Sequence, residues 1–243
     1  MKANQVLMVV GVCALALAAQ TTTSKATKRP TPKAAPKAAP IPAEYKVKFE
    51  TTKGDVVIQV HRDWSPMGAD HFYQLVTKGY YDNNAFFRAI KGFVVQFGMN
   101  GDPKLTAKWN AVPIKDDPPA QHPNKVGTVV FAKTGAPDSR TTHIFINLND
   151  NAEALDQMGF TPFGEVVSGM ENVNNIFMGY GDGPPSGSGP DQEALTHGGN
   201  AYLQKAFPNL DYIKKATVID PPPPAPVVHQ PASKMKQSTT PRQ

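Results

Sequence analysis

The sequence predicts a mainly β domain, in which an antiparallel sheet closes into a barrel and two α-helices cover the ends of that barrel. Short segments with alternating apolar and polar residues recur through the middle of the 243-residue chain. Alternation of this kind is typical of strands with one buried face. Only two segments carry the apolar period of an amphipathic helix, and many strands beside so few helices favour a closed barrel.

Turn residues separate the predicted strands. Residues 45–51 and 55–60 each alternate between apolar and polar side chains, and Lys53-Gly54 lies between them. We therefore predict a β-hairpin. Residues 86–97 also have strand character, with a bend or bulge at Lys91-Gly92. Further strands are predicted at 126–132, 143–147, 163–167 and 213–219.

Capping residues mark the two predicted helices. Ser65 occupies an N-cap position before Pro66, and Gly79 ends the first helix. A second, shorter helix is predicted over 169–178 and ends at Gly179. The apolar face of the first helix is formed by Ala69, Phe72, Leu75 and Val76.

The glycine-rich segment 179–200 is predicted to be a long loop. It lacks the Gly-Lys-Ser/Thr sequence of a phosphate-binding loop, and it does not lead from a strand into a helix. We therefore expect no phosphate site in this segment.

Both ends of the chain differ in composition from the domain predicted at 44–219. Residues 1–19 combine one lysine, an apolar run and small residues, which is the pattern of a cleaved signal peptide. An uncleaved membrane anchor is the alternative, although the run is short for a bilayer. Residues 20–43 and 220–243 are proline-rich and predicted to be a disordered linker and tail. We expect an exported protein, periplasmic or secreted, with no stable membrane insertion after signal cleavage.

Cys13 is the only cysteine of the chain and lies inside the predicted signal peptide. The mature protein should therefore contain no disulfide. Lipidation at Cys13 is a weaker alternative, because small residues do not precede this cysteine in the way a lipoprotein signal requires.

The net charge of +5 comes from the ends of the chain. Segments 1–43 and 220–243 hold nine of the 25 basic residues and one of the 20 acidic residues. Segment 44–219 therefore has 16 basic and 19 acidic residues, a net charge of −3. This balance argues against a nucleic-acid partner.

Metal-dependent and nucleophilic chemistry find no support in the sequence. The six histidines show no paired ligand spacing and have no cysteines to join them. No nucleophile-elbow pattern surrounds a serine. Asp116-Asp117 precedes Pro118-Pro119 and is expected to cap a turn. We expect no metal and no cofactor.

The apolar stretch 86–98 (FFRAIKGFVVQFG) contains two polar residues, Arg88 and Gln96. An unpaired buried guanidinium is costly. Either both side chains face solvent, with Arg88 paired to an acid such as Asp82, or they form the polar floor of a pocket.

Four motifs, in this order and spacing, resemble the cyclophilin family of peptidyl-prolyl isomerases in its bacterial form. They are residues 86–98, Phe131-Ala-Lys-Thr-Gly135, His143-Ile-Phe-Ile146 and the segment 155–166, LDQMGFTPFGEV. The resemblance extends from about 45 to 180. It implies an eight-stranded antiparallel barrel capped by two helices.

The resemblance also implies a set of site residues. Arg88 would be the catalytic arginine, in a groove on the outer surface of the barrel that receives a proline-containing peptide. Arg88, Val94 and Gln96 are all even-numbered, so unbroken alternation would place them on one face. The implied substrate-binding residues are Phe93, Val94, Gln96, Phe131, Ala132, His143, Phe145, Leu155 and Phe160.

The sequence departs from the family pattern at four positions. Phe87 replaces a histidine that is common before the arginine, and His143 replaces the pocket glutamine. A tryptophan that helps the family to bind cyclosporin aligns near Ala154, so weak binding of the drug is expected. Phe160 falls near a pocket histidine of eukaryotic members.

The implied function is a peptidyl-prolyl cis-trans isomerase that speeds the folding of exported proteins. Its partners would be unfolded or extended polypeptides that contain proline, and we expect a monomer. Two alternatives stay open. One is a non-catalytic module that binds proline-containing segments, and His143 favours it. The other is an envelope-associated scaffold that acts through its basic tails.

Overall fold

One antiparallel sheet of nine strands organises the computed structural model, which describes residues 40–119 and 121–220. The predicted signal peptide, nearly all of the predicted linker and residues 221–243 of the predicted tail lie outside these residues. The strands are β1 (Glu44–Thr51), β2 (Gly54–His61), β3 (Asn84–Ala85), β4 (Arg88–Ile90), β5 (Val94–Phe97), β6 (Thr128–Phe131), β7 (Ile144–Asn147), β8 (Pro162–Ser168) and β9 (Tyr212–Asp220).

The order of strands shows how the sheet curls. It runs β3-β9-β1-β2-β8-β6-β7-β5-β4. The two edge strands, β3 and β4, are separated in the chain by Phe86 and Phe87 alone, so the sheet curls until its edges approach each other. Within the described residues, no ladder joins β3 to β4. The structure is therefore a curled nine-stranded sheet, and the closed eight-stranded barrel is not confirmed.

Two local features explain the different strand count. The pairing of β3 with β9 is only two residues long, Asn84↔Ile213 and Ala85↔Tyr212, too short to leave an alternating pattern. The predicted strand 86–97 is a hairpin of two strands, because Gly92 adopts a φ of 72° and reverses the chain.

The structure has five helical segments in its described part, where the sequence indicated two. They are α1 (Pro66–Thr77), α2 (Pro103–Asn110), α3 (Ala152–Leu155), α4 (Met170–Asn174) and α5 (Gln192–Ala206). The first corresponds to the predicted helix after Ser65, whereas α4 covers only the first half of the helix predicted over 169–178 and ends well before Gly179. None of the helices in this part is long and apolar enough to cross a membrane.

Helix α5 corrects the prediction of a loop over 179–200. Residues 192–200 belong to this helix, which is kinked where Gly199 has a φ of 55°. A side chain at Gly199 would lie 2.2 Å from the carbonyl oxygen of Gly101, so the close approach of the two backbones requires glycine. Together with its neighbour Gly198, Gly199 also hides the helical pattern in the sequence.

The buried apolar side chains of the described residues form three clusters, of which two are interior cores. The main core fills the concave side of the curled sheet and includes Phe49, Phe72 and Phe97. A smaller core lies under α5, where Phe87 is grouped with Leu195 and Leu203. The phenylalanine that replaces the family histidine is thus 1% exposed and anchors the segment that carries α5.

Candidate active site

The β4–β5 hairpin brings together the two polar residues of the stretch 86–98. Arg88 pairs directly with Gln96 across the hairpin. The predicted common face is therefore correct for these two residues, but its cause is cross-strand pairing and not alternation along one continuous strand.

Direct cross-strand pairs extend this hairpin into a row across four adjacent strands. Gln96 pairs with Phe145 of β7, and Phe145 pairs with Val130 of β6. Residues directly opposite one another share a face of the sheet. Arg88, Gln96, Phe145 and Val130 therefore form one row on the face opposite the main core.

A cavity of about 600 Å³ opens over this row, within the size range typical of ligand sites. One wall is an apolar cluster of Val94, Val130, Phe145 and Leu155, with Phe93, Ala132 and Phe160 packed against it. Nine of the ten site residues implied by the resemblance line the cavity: Arg88, Phe93, Val94, Gln96, Ala132, His143, Phe145, Leu155 and Phe160.

Phe131 is the exception, and the structure corrects its proposed place in the pocket. Its ring packs in the main core, with ring centroids 5.1 Å from Phe163 and 5.7 Å from His71. Successive residues of a strand point to opposite faces. Because Ala132 lines the cavity, Phe131 faces the interior.

Arg88 is held by three hydrogen-bonded contacts. Its Nη1 donates to Oε1 of Gln96 at 3.0 Å. Its Nε and Nη2 donate to the two carboxylate oxygens of Asp182 at 2.6 and 3.0 Å. The acid that pairs with the arginine is thus Asp182, whereas Asp82, the partner considered from the sequence, accepts a hydrogen bond from the backbone of Ala216.

The ion pair affects the protonation of Asp182. Hydrogen bonding from Arg88 is the largest cause of a lowered pKa for this carboxyl group. Asp182 is therefore ionised at neutral pH. No sequence pattern identified it, because it lies 94 residues from Arg88 in a glycine-rich segment.

His143 contributes a neutral imidazole to the cavity lining. Burial lowers its pKa from the ordinary 6.5 to about 4. Its ring meets that of Phe87 edge-on at 5.8 Å, and Nε2 is buried with no hydrogen-bond partner in the described residues.

Three buried asparagines fix the backbone on two sides of the cavity. Asn151 donates to the carbonyl oxygen of Phe93 at 3.0 Å and to Oδ1 of Asn147 at 2.7 Å. Asn147 donates to Oδ1 of Asn124, which donates to the carbonyl oxygen of Phe160. Sequence reasoning missed this network, since asparagines in loops usually indicate turns.

The remaining lining is polar or exposed. Asn110 and Thr141 lie at a polar part of the cavity, and Gln192 at the start of α5 reaches it from the segment predicted as a loop. Ala154 also lines the cavity, beside Met158, which is 61% exposed. The position aligned with the family tryptophan is thus at the rim, but it presents only a methyl group.

An arginine and a glutamine thus lie beside an apolar wall, on the convex face of a curled antiparallel sheet. The family model described as "Cyclophilin type peptidyl-prolyl cis-trans isomerase/CLD" matches residues 46–192. The chain belongs to this family, and the enzyme class predicted from the sequence is confirmed.

Individual relatives agree with the family. The chain is 37% identical to peptidyl-prolyl cis-trans isomerase B of Escherichia coli K12 over 136 residues, which cover 54% of this chain and 82% of the relative. It is 33% identical to a peptidyl-prolyl cis-trans isomerase of Acinetobacter baylyi, with 55% and 72% covered.

Solved structures support the fold. A cyclophilin-type isomerase of Cryptosporidium parvum superposes with a TM-score of 0.51 at 22% identity and covers 72% of this chain and 97% of its own. A cyclophilin of Hirschia baltica gives 0.53 at 16% identity, with 76% and 77% covered.

Proposed function

We propose that the cavity accelerates cis-trans rotation of X-Pro peptide bonds, with Arg88 as the catalytic residue. The observation that carries the proposal is the row of paired residues, which sets the Arg88 guanidinium beside Gln96 and an apolar wall that includes Phe145. The apolar wall offers a surface for the ring of a proline residue, and the Arg88 guanidinium lines the same cavity.

The chemistry requires neither a nucleophile nor a cofactor. An X-Pro bond rotates over a barrier of roughly 20 kcal/mol, because rotation breaks the resonance of the amide. In the twisted state the prolyl nitrogen becomes pyramidal and gains a lone pair. A donor at that nitrogen stabilises the twisted state more than either planar state, which is the requirement for catalysis.

Arg88 suits this role for two physical reasons. A guanidinium stays charged at all relevant pH values and presents its donors in a rigid fork. The apolar wall also excludes water and strengthens each hydrogen bond made in the cavity. Lowering the barrier by ~7 kcal/mol corresponds to about a 10⁵-fold acceleration.

The other polar groups would bind the peptide backbone. Gln96 keeps its amide nitrogen available, since its oxygen accepts from Arg88. His143 lines the same cavity and is mostly neutral at neutral pH, because burial lowers its pKa to about 4. A cyclophilin-type isomerase of Cryptosporidium parvum was crystallised in the presence of the dipeptide Ala-Pro, which supports a proline-containing ligand for this cavity.

A cis-trans assay on a proline tetrapeptide tests the proposal. Wild-type protein should accelerate isomerisation, and Arg88→Ala should lower kcat/KM by about 100-fold or more, the usual cost of removing a donor to the transition state. Arg62→Ala is the matched control, because Arg62 makes a similar two-point contact with Asp70 away from the cavity. Equal rates for wild type, Arg88→Ala and buffer would contradict the enzyme mechanism.

That negative result would favour a second candidate function. In this alternative the cavity binds proline-containing segments but does not catalyse their isomerisation. Two observations favour it: Arg88 already has a carboxylate partner, and His143 replaces the glutamine of the family. Calorimetric titration with the same tetrapeptide distinguishes a binding module from an inactive protein.

The clients proposed for the enzyme are exported proteins. Support comes from the sequence of residues 1–19, which resembles a cleaved signal peptide. Mass spectrometry of the full chain expressed in a bacterial host tests this point. A mature N-terminus close to residue 20 in an exported fraction is expected, whereas an intact chain retained in the cytosol would contradict export.

A further inference from the structure

The segment around Asp182 pairs with strand β4, the edge strand that carries Arg88. Gly181 forms an antiparallel bridge with Ala89 of β4. In an antiparallel pair, this register sets Asp182 opposite Arg88. The ion pair is therefore a cross-strand pair fixed by backbone geometry, and it is distinct from a chance contact between two long surface side chains.

The contact uses part of the guanidinium and leaves part of it free. A guanidinium has five N–H donors. Two are directed to the carboxylate of Asp182 and one to Gln96. Two N–H groups, one on each terminal nitrogen, remain for a ligand in the cavity that Arg88 lines.

Asp182 is itself held in place by the backbone of its loop. Its Oδ1 accepts a hydrogen bond from the backbone nitrogen of Gly183 at 2.9 Å. Its carbonyl oxygen accepts from the nitrogen of Gly189 at 2.8 Å. A side chain at Gly187 would lie 2.3 Å from that carbonyl oxygen, so the loop closes tightly around the aspartate.

The environment makes this pair stronger than an exposed ion pair. The side chains of Arg88 and Asp182 are 21% and 28% exposed. Contacts of a carboxylate with two donors of one guanidinium are strong and directional. They also remove much of the rotational freedom that an arginine side chain otherwise keeps.

We propose that Asp182 is a positioning residue, which holds the Arg88 guanidinium in one orientation so that its free N–H groups meet the prolyl nitrogen. The inference rests on the proposed function of Arg88. Preorganised donors stabilise a transition state because they need no reorganisation when the charge develops. Asp182 would thus act on turnover through Arg88 and would leave the apolar part of peptide binding unchanged.

The test compares isosteric variants of two aspartates in the full-length protein. Asp182→Asn weakens the pair at the cavity. Asp70→Asn is the matched control, because Asp70 is also 28% exposed and also contacts an arginine through both oxygens, away from the cavity. The assay is tetrapeptide isomerisation, with kcat and KM determined separately, alongside Arg88→Ala.

We expect Asp182→Asn to lower kcat by about tenfold while KM changes by less than about twofold. Asp70→Asn should match wild type in both constants. The Nε–H resonance of Arg88 in NMR spectra, which resists exchange with water while it is bonded to Asp182, should be lost by rapid exchange in Asp182→Asn. The corresponding resonance of Arg62 should persist there, which also shows that the variant is folded.

The outcomes separate this inference from the proposed function. If Arg88→Ala is inactive and Asp182→Asn matches wild type or exceeds it, the positioning role is overturned while the catalytic arginine stands. If Arg88→Ala is as active as wild type, the proposed mechanism fails and the inference fails with it. A parallel loss of kcat and peptide affinity in Asp182→Asn would assign Asp182 to binding and overturn positioning.

Discussion

Arg88 lies between two regions that differ in how they reach it. On one edge of β4 stands β5, in a regular ladder where Gln96 faces Arg88. On the other edge lies the segment from Gly179 to Ala206, joined to β4 by the single bridge of Gly181 and by the Asp182 ion pair. The ladder determines where the arginine is, and the segment restricts how its guanidinium is turned. The ladder thus sets the location of the side chain and supplies one contact to its guanidinium, whereas the segment supplies the other two.

The largest expected effect is a loss of stability when the packing of α5, in the segment from Gly179 to Ala206, is weakened. Leu203 is 0% exposed in the small core under α5. Leu203→Ala should lower the free energy of unfolding by about 2–5 kcal/mol, since it leaves a cavity in a packed core. Denaturant unfolding measures this loss.

Leu203→Ala also tests whether the packing of α5 affects Arg88. If the segment orients Arg88, Leu203→Ala should also reduce kcat under conditions in which the protein is folded. Full activity in a folded but destabilised variant would show that α5 packing and the Asp182 contact are independent.

His143 links the two regions, since it lies beside β7 and meets Phe87 of the small core. Its pKa is about 4 when folded and has the ordinary value of 6.5 when unfolded. Between these values the unfolded chain binds more protons, so the stability falls as the pH is lowered from 6.5 to 4. The loss attributable to His143 should be at most about 3 kcal/mol, because each unit of pKa shift corresponds to ~1.4 kcal/mol.

His143→Gln checks this pH dependence. We expect the difference in unfolding free energy between pH 7 and pH 4.5 to be smaller in the variant than in wild type, because glutamine does not titrate. Equal differences in the two proteins would show that burial does not depress the pKa of His143.

The ladder side of Arg88 is tested by Gln96→Ala. This change removes the third contact of the guanidinium and an amide proposed to bind the peptide. We expect kcat/KM to fall by about tenfold, or ~1.4 kcal/mol, and KM to rise. Asp182→Asn is predicted to lower kcat and to leave KM nearly unchanged. Identical changes of kcat and KM in the two variants would therefore contradict different roles for Gln96 and Asp182.

The smallest effect concerns the rim of the cavity and a drug. Ala154 lines the cavity but presents little surface. The resemblance to cyclophilins implies that a tryptophan near this position supports cyclosporin binding. Ala154→Trp should tighten cyclosporin binding by several-fold in a fluorescence titration, because an indole adds apolar contact area. Unchanged affinity would show that the residue at position 154 does not determine how tightly cyclosporin binds.

Sequence reasoning succeeded where contacts are local or lie within the matched motifs. The β1–β2 hairpin and helix α1 followed from turn and cap residues. Phe131 was assigned to the pocket together with its neighbour Ala132, although adjacent residues of a strand point to opposite faces. Strand alternation alone therefore separates these two residues, and it assigns Phe131 to the core once Ala132 is assigned to the pocket.

Asp182 and α5 were beyond sequence reasoning for a physical reason. The pairing of Arg88 with Asp182 joins positions 94 residues apart, and the glycine-rich segment around Asp182 has no periodicity that predicts a partner. In α5, the pair 198–199 interrupts the apolar pattern, because Gly199 is required by the contact with Gly101 and not by the helix itself. Long-range contacts of this kind are visible only once the sheet has formed.

The most direct test of the central claim measures binding and turnover on the same peptide. Exchange NMR on a proline tetrapeptide gives the rate of cis-trans interconversion at saturation, and a titration gives the dissociation constant. For Arg88→Ala we predict a rate at saturation lowered about 100-fold with a dissociation constant within a few-fold of wild type. A rate that is unchanged, or one that falls only as far as the affinity does, would contradict a role for Arg88 in stabilising the twisted bond.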